Sequence, residues 1–186
     1  MEQSVKFIMR TVGNADLSYY VKHIHGLEIC RDKTHNAMDT FLMSLEMAGE
    51  APCVHLEDDI VLCEDFTDKV MREVLKRQNE VIQFFSMRKA DLTVGSRYIN
   101  GGAFCMNQCF YLPAGMGLEI LEYAKTWKRI EEHPTGYDYL MADYFKEHKI
   151  RYWNVVPNLV DHLPMKSRIN PRRSTKRQSL TFRKGR

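Results

Sequence analysis

Apolar residues along the chain alternate between short continuous runs and helical spacings. Val5-Lys6-Phe7-Ile8-Met9 reads as a strand that stops at Arg10-Thr11-Val12-Gly13-Asn14. A helix around residues 16–25 follows, then a second strand, Leu27-Glu28-Ile29-Cys30, ending on Arg31-Asp32. From about Asn36 to Ala48, Met38, Phe41, Leu42, Leu45 and Met47 recur at helical spacing, and Gly49 closes the helix. Pro52-Cys53-Val54-His55-Leu56 is a buried strand running into Glu57-Asp58-Asp59, and a helix over 65–78 leads to the strand Val81 to Phe85. Residues 86–103 read as loop. Beyond them the pattern predicts a strand over 105–112, helices over 116–125 and 137–148, and a strand over 150–156. Strands and helices in this alternation imply an α/β fold with a mostly parallel central sheet and helices on both faces. In such folds functional groups gather at the carboxyl ends of the strands.

A length of 186 residues suits one domain with a full core. The composition, 44% hydrophobic and 27% charged, is that of a globular chain, and no apolar run approaches the roughly 18 residues of a membrane span. The first residues lack a basic segment followed by an apolar one, so no secretory signal is expected. Five cysteines without a CxxC pair suit reduced thiols and a cytoplasmic setting. Charge changes the picture more. Nine of the 27 Lys and Arg fall in residues 166–186, which contain no acid, leaving an acidic body of about −6 over residues 1–165 and a tail of +9. The tail has few apolar residues and reads as extended or mobile.

The strongest chemical signal is Glu57-Asp58-Asp59 at the end of an apolar strand. Three adjacent carboxylates repel one another, and a hard divalent cation, Mg²⁺ or Mn²⁺, offsets that repulsion while leaving room for a diphosphate. The competing reading is a solvated acidic turn. In extended backbone Glu57 and Asp59 share a face and Asp58 takes the other. A second strand exit, Pro157-Asn158-Leu159-Val160-Asp161-His162, offers an imidazole that can complete the coordination of such an ion or contact a phosphate.

Taken in order, the strand ending at Arg10, the strand ending at Asp32, His55-Leu56-Glu57-Asp58-Asp59-Ile60, Gly101-Gly102-Ala103-Phe104, Gly136-Tyr137-Asp138 and Pro157 to His162 resemble a small GT-A fold glycosyltransferase. The likeness covers roughly residues 5–168. It is nearest to the inverting family of lipopolysaccharide and collagen galactosyltransferases, with further similarity to phage enzymes that glycosylate DNA bases. The resemblance implies a nucleotide-diphospho-sugar donor, a UDP-sugar first among them. It places Asp59 on the metal, with Glu57 and His162 as further ligands, and lets Glu57 or Asp58 touch the ion's water or the donor's ribose. Arg10 and Asp32 correspond to nucleotide-holding positions, and Gly101, Gly102 and Ala103 to a loop against the donor sugar. Asp138 corresponds to the carboxylate that deprotonates the acceptor, with a helix-capping role as its alternative and Asp143 as the reserve candidate. The chain is short for such an enzyme, which implies minimal loops.

The basic tail, residues 166–186, has the composition of a phosphate-seeking segment, and DNA is the partner it suggests. A hydroxymethylated base in phage DNA is therefore one candidate acceptor, with Tyr98, Phe104 or Trp127 available to stack on an extruded base. A glycan, lipopolysaccharide or protein acceptor is the alternative, in a bacterial or phage-infected cytosol. Two other classes compete: a metal-dependent nuclease using the same acids and His162, and a nucleic-acid-binding module without catalysis.

Overall fold

The computed structural model describes residues 4–164 and 177–184. Strand β1 spans Lys6–Val12, three residues past the run marked by alternation, because Arg10, Thr11 and Val12 go on pairing with β2 (Leu27–Asp32). On its other side β1 pairs in parallel with β3 (Cys53–Glu57), so that Arg10 lies opposite Glu57. Next come β7 (Cys109–Leu112), β5 (Val81–Gln83), β8 (Arg151–Asn154) and β6 (Arg97–Asn100), in the order β2-β1-β3-β7-β5-β8-β6. Five strands run one way, and β7 and β6 run against them, so the sheet is mixed where a mostly parallel one was expected. The reversal of β7 matters for the site. It brings residues 105–108, which lead into β7, to the same end of the sheet as the carboxyl ends of β1, β3 and β5.

Both faces are covered, which explains why the central strands read as near-continuous apolar runs. On one face α1 (Ser18–His23) and α3 (Phe66–Lys76) send Tyr20, Ile24, Phe66 and Val70 onto Met9, Val54, Leu56 and Tyr111. On the other, α2 (Ala37–Ala48), α5 (Met116–Ala124) and α6 (Tyr137–Glu147) pack Phe41, Ile120, Leu140 and Phe145 against Phe110, Leu112 and Tyr152. Helix α2 starts where Asn36 accepts a hydrogen bond from the Met38 N–H and stops at Gly49, whose φ of 61° suits a residue without Cβ. Among the described residues no helix is long and apolar enough to cross a membrane.

Two features depart from the sequence pattern. Ile60–Leu62 (β4) and Val160–His162 (β9) form a separate antiparallel pair in which Ile60 faces His162. Residues 86–103 are not loop throughout: they hold α4 (Asp91–Val94), the edge strand β6, and a 3₁₀ turn over Gly101–Ala103. The turn is wedged against α6, and a Cβ on Gly101 would overlap Phe145 Cβ and the Ile150 carbonyl. Gly101→Ala is therefore expected to lose about 1–3 kcal/mol in urea unfolding. Gly102→Ala, whose Cβ would meet only the flexible Lys146 side chain, serves as the near-neutral control.

The end of the chain is docked, contrary to a wholly extended or mobile tail. Ser179 N donates to Asp161 Oδ1 at 2.7 Å, and Ser179 Oγ donates to Asn158 Oδ1 at 2.6 Å. Asn158 N in turn donates to Thr181 Oγ1, and Phe182 packs against the α1–α3 core. Residues 165–176, with Ser167 and most of the basic cluster, lie outside the described residues.

Candidate active site

The candidate site lies at the carboxyl ends of β1, β2 and β3, where sheet geometry gathers groups far apart in sequence. Glu57 ends β3, and the chain then bends at Asp58 and Asp59 before β4. Glu57 faces the α2–α6 side. Asp58 turns to the opposite face, where its Oδ2 accepts from Thr11 Oγ1 at 2.6 Å. Tyr20 fixes the bend from below: its hydroxyl lies 2.6 Å from the Ile60 carbonyl and 2.9 Å from that of Asp58. Antiparallel β9 then brings His162 Nε2 to 3.0 Å from Asp59 Oδ2.

That pair comprises two of the three side chains expected to hold a metal ion. His162 Nδ1 lies 2.5 Å from the Leu163 carbonyl, and donation there leaves Nε2 as the atom turned to Asp59. The approach of Nε2 to the carboxylate is poorly aligned for a hydrogen bond, and Nε2 and Asp59 Oδ1 are both buried without a hydrogen-bond partner. Burial works against a charged His162 ring, but the Asp59 carboxylate outweighs it and raises the imidazole above its ordinary range. Asp59 offers a hard oxygen donor and His162 a nitrogen, a pair of donors that could hold a divalent cation such as Mn²⁺. Among the described residues no three His, Cys, Asp or Glu side chains gather closely enough to complete a metal site by themselves. Further donors would have to come from water or a ligand such as a diphosphate.

Glu57, expected as a ligand beside them, is held differently. Its Oε1 accepts from the Tyr137 hydroxyl at 2.5 Å and lies 4.0 Å from Arg10 Nη2. Burial and the Asp59 charge push its carboxyl above the ordinary range, while Arg10 and Tyr137 pull it back. Arg10 itself is buried, 4.7 Å from the Tyr137 ring centroid and 5.5 Å from those of Phe41 and Phe110. Its Nη2 donates to the Asn107 carbonyl at 3.0 Å, whereas Nε and Nη1 have no partner. Both polar atoms of the Asn107 side chain and Oε1 of Gln108 are also unpartnered, as is Asp32 Oδ2, whose Oδ1 caps the turn at Thr34 and His35. Buried polar atoms are ordinarily paired, so these are groups that water or a polar ligand could satisfy.

The remaining expected residues divide. Asp138 lies half-buried in the first turn of α6, close enough to Cys105 for its charge to act on that thiol. It makes no capping hydrogen bond, and Gly136 occupies the N-cap, so the capping alternative does not hold. Asp143 is spent elsewhere, accepting from Trp127 Nε1 at 3.0 Å and pairing with Arg129. Gly101 owes its lack of a side chain to α6, and the Ala103 carbonyl is occupied by Arg88 and Tyr152, so this turn is packing before it is a ligand loop. Phe104 and Trp127 are core residues, and Tyr98 leans on Trp153, which removes the first two as stacking surfaces. Sequence reasoning missed Thr11, Tyr20 and Asn107, and it placed Arg177 only within the phosphate-seeking tail, not beside His162. Arg177 lies close enough for its charge to act on His162, and its Nε is buried without a partner.

No protein-family model matches the chain, and no curated protein matches it. Among solved structures, one titled "Crystal Structure of A197 from STIV" is similar at a TM-score of 0.49 and 17% identity, over 84% of this chain and 85% of that one. At that distance the likeness assigns no role to any residue.

Proposed function

We propose that this chain is a metal-dependent glycosyltransferase of GT-A type, moving a sugar from a nucleotide-diphospho-sugar, first of all a UDP-sugar, to an acceptor hydroxyl with inversion. The observation that carries the reading is the Asp59–His162 pair at the end of β3, set among unpartnered buried donors and acceptors of Arg10, Asp32 and Asn107. A nuclease reading is served less well, since a two-residue cation site leaves most coordination to the ligand, as a diphosphate can provide. When bound there, Mn²⁺ or Mg²⁺ would offset the charge that develops on the departing diphosphate.

The chain's own residues divide the remaining work. Asp59 and His162 hold the cation side of the donor. Arg177 adds positive charge beside His162, suited to a phosphate oxygen. Asp32 Oδ2 and the Asn107 amide are free to accept from and donate to the nucleoside. Asp138, across the loop at Cys105, takes the proton from the acceptor hydroxyl as that oxygen attacks the anomeric carbon, and one in-line displacement inverts the sugar. The acceptor follows from what reaches Asp138. A glycan hydroxyl meets that requirement directly. The DNA alternative rests on the basic residues 166–176, which lie outside the described residues, and on Arg177, Arg183 and Lys184.

Thermal unfolding with UDP-glucose, UDP-galactose and UDP-N-acetylglucosamine, each with Mn²⁺ or EDTA, tests the reading. A matching donor at about 100 times its Kd stabilises the protein by roughly 2.7 kcal/mol, a rise in Tm of roughly 5–10 °C that EDTA abolishes. The absence of a metal-dependent shift with every donor, or DNA cleavage without any donor, overturns it.

A further inference from the structure

Tyr137 precedes Asp138 by one residue, yet its side chain enters the floor of the site. Its ring stacks on Phe41 at 4.7 Å and 23° and bears the Arg10 guanidinium. Its hydroxyl crosses from α6 to Glu57 at the end of β3, a contact spanning 80 residues of sequence.

The start of α6 shows why this contact counts. A helix's first turn leaves its N–H groups without internal partners, and a Ser, Thr, Asp or Asn at the N-cap ordinarily secures it. Here the N-cap is Gly136, with no capping side chain. A Cβ at that position would meet Tyr139 Cδ2 at 2.8 Å and His133 Cβ at 3.1 Å, so the packing of the preceding turn disfavours a capping residue there. The turn that carries Asp138 is held without a side-chain cap, by Tyr137 on its inner side and by the Tyr139 ring stacked on His133 on its outer side.

Resting on the transferase reading, we propose that Tyr137 is a positioning residue: through the Tyr137–Glu57 hydrogen bond it registers Asp138 against the donor site formed by Arg10, Glu57 and Asp59. The bond makes the end of β3 and the first turn of α6 one rigid unit. Placement of the base then depends on a group that touches neither the acceptor nor the reacting atoms. A misplacement of about 1 Å at a reacting group costs on the order of 100-fold in rate.

The test is Tyr137→Phe, which keeps the ring and removes the hydroxyl. In full-length protein with Mn²⁺ and the UDP-sugar that the donor screen selects, kcat for transfer is expected to fall about 10–100-fold. The donor KM should stay within about threefold and Tm within a few degrees, a split that a general loss of structure would not produce. Combined with Asp138→Asn, Tyr137→Phe should cause no further loss, because it acts through Asp138. Hydrogen exchange over residues 136–140, read without substrate, should be faster in Tyr137→Phe than in wild type. Should the variant prove too unstable to assay, exchange in wild type labelled with 3-fluorotyrosine, which retains the hydroxyl, is compared with Glu57→Met, which keeps the length of the side chain and removes the accepting oxygens. Only the latter should loosen the turn. Unchanged exchange, an unchanged kcat, or multiplicative losses in the double variant overturn the proposal. A wild type inert with every donor overturns the transferase reading instead, while exchange still decides whether the tether exists.

Discussion

Asp59→Asn is expected to give a folded protein that has lost about 100- to 1000-fold of its metal-dependent transfer, the scale on which a preorganised electrostatic group contributes. The change is nearly isosteric and leaves a polar atom facing His162, so the bend between β3 and β4 keeps its hydrogen bonds to Tyr20 and to the Leu163 N–H. Metal-free stability is expected to change little. Asp59 raises the pKa of the half-buried Glu57, which means that the two carboxylates oppose each other in the folded state. Removing one negative charge relieves that opposition and also removes the Asp59 attraction to His162, two effects of opposite sign. A protein that keeps its stability while losing turnover identifies Asp59 as a functional rather than a structural residue. Parallel melts without metal and initial rates over a Mn²⁺ series check it. Turnover within tenfold of wild type, or wild-type transfer that persists in EDTA, removes Asp59 from the metal.

The parts of this architecture that the sequence made legible are those that local periodicity encodes. Strands β1 and β3 stand out because both their faces are buried, β2 because Leu27, Ile29 and Cys30 run up to Arg31-Asp32, and α2 because Asn36 and Gly49 bracket a helical stripe. Their carboxyl ends, and with them Arg10, Asp32 and the acidic triplet, could be placed at one edge before any contact was known. Pairings between distant short segments were not legible. Three-residue strands such as β4 and β9 carry too little pattern to announce themselves, yet their register is what sets His162 against Asp59. Asp143, the reserve candidate on the same helix, differs from Asp138 because Arg129 and Trp127 reach it. Gly101 read as a residue making room for a ligand, and it makes room for Phe145 and Ile150 instead. The tail read as free because charge dominated its composition. Ser179 and Phe182 were enough to dock its end, and that docking delivers Arg177 toward His162.

Asp138→Asn should separate the two halves of the site. Asp138 projects from a turn with no capping bond, half-buried beside Cys105, on the α6 side of the donor groups, and Asn retains its size and shape there. Only the capacity to accept a proton is lost. Transfer should fall about 100- to 10,000-fold, the span of general acid–base contributions, with donor affinity measured by calorimetry staying within a few-fold of wild type. Residual donor hydrolysis is informative as well. Water attacking the anomeric carbon from the acceptor side needs the same base, so hydrolysis should fall together with transfer. If hydrolysis survives while transfer disappears, Asp138 binds the acceptor without taking its proton. If donor affinity collapses instead, Asp138 belongs with Asp32 and Asn107 in the nucleotide-sugar site, and the base must be sought on another element bordering Cys105.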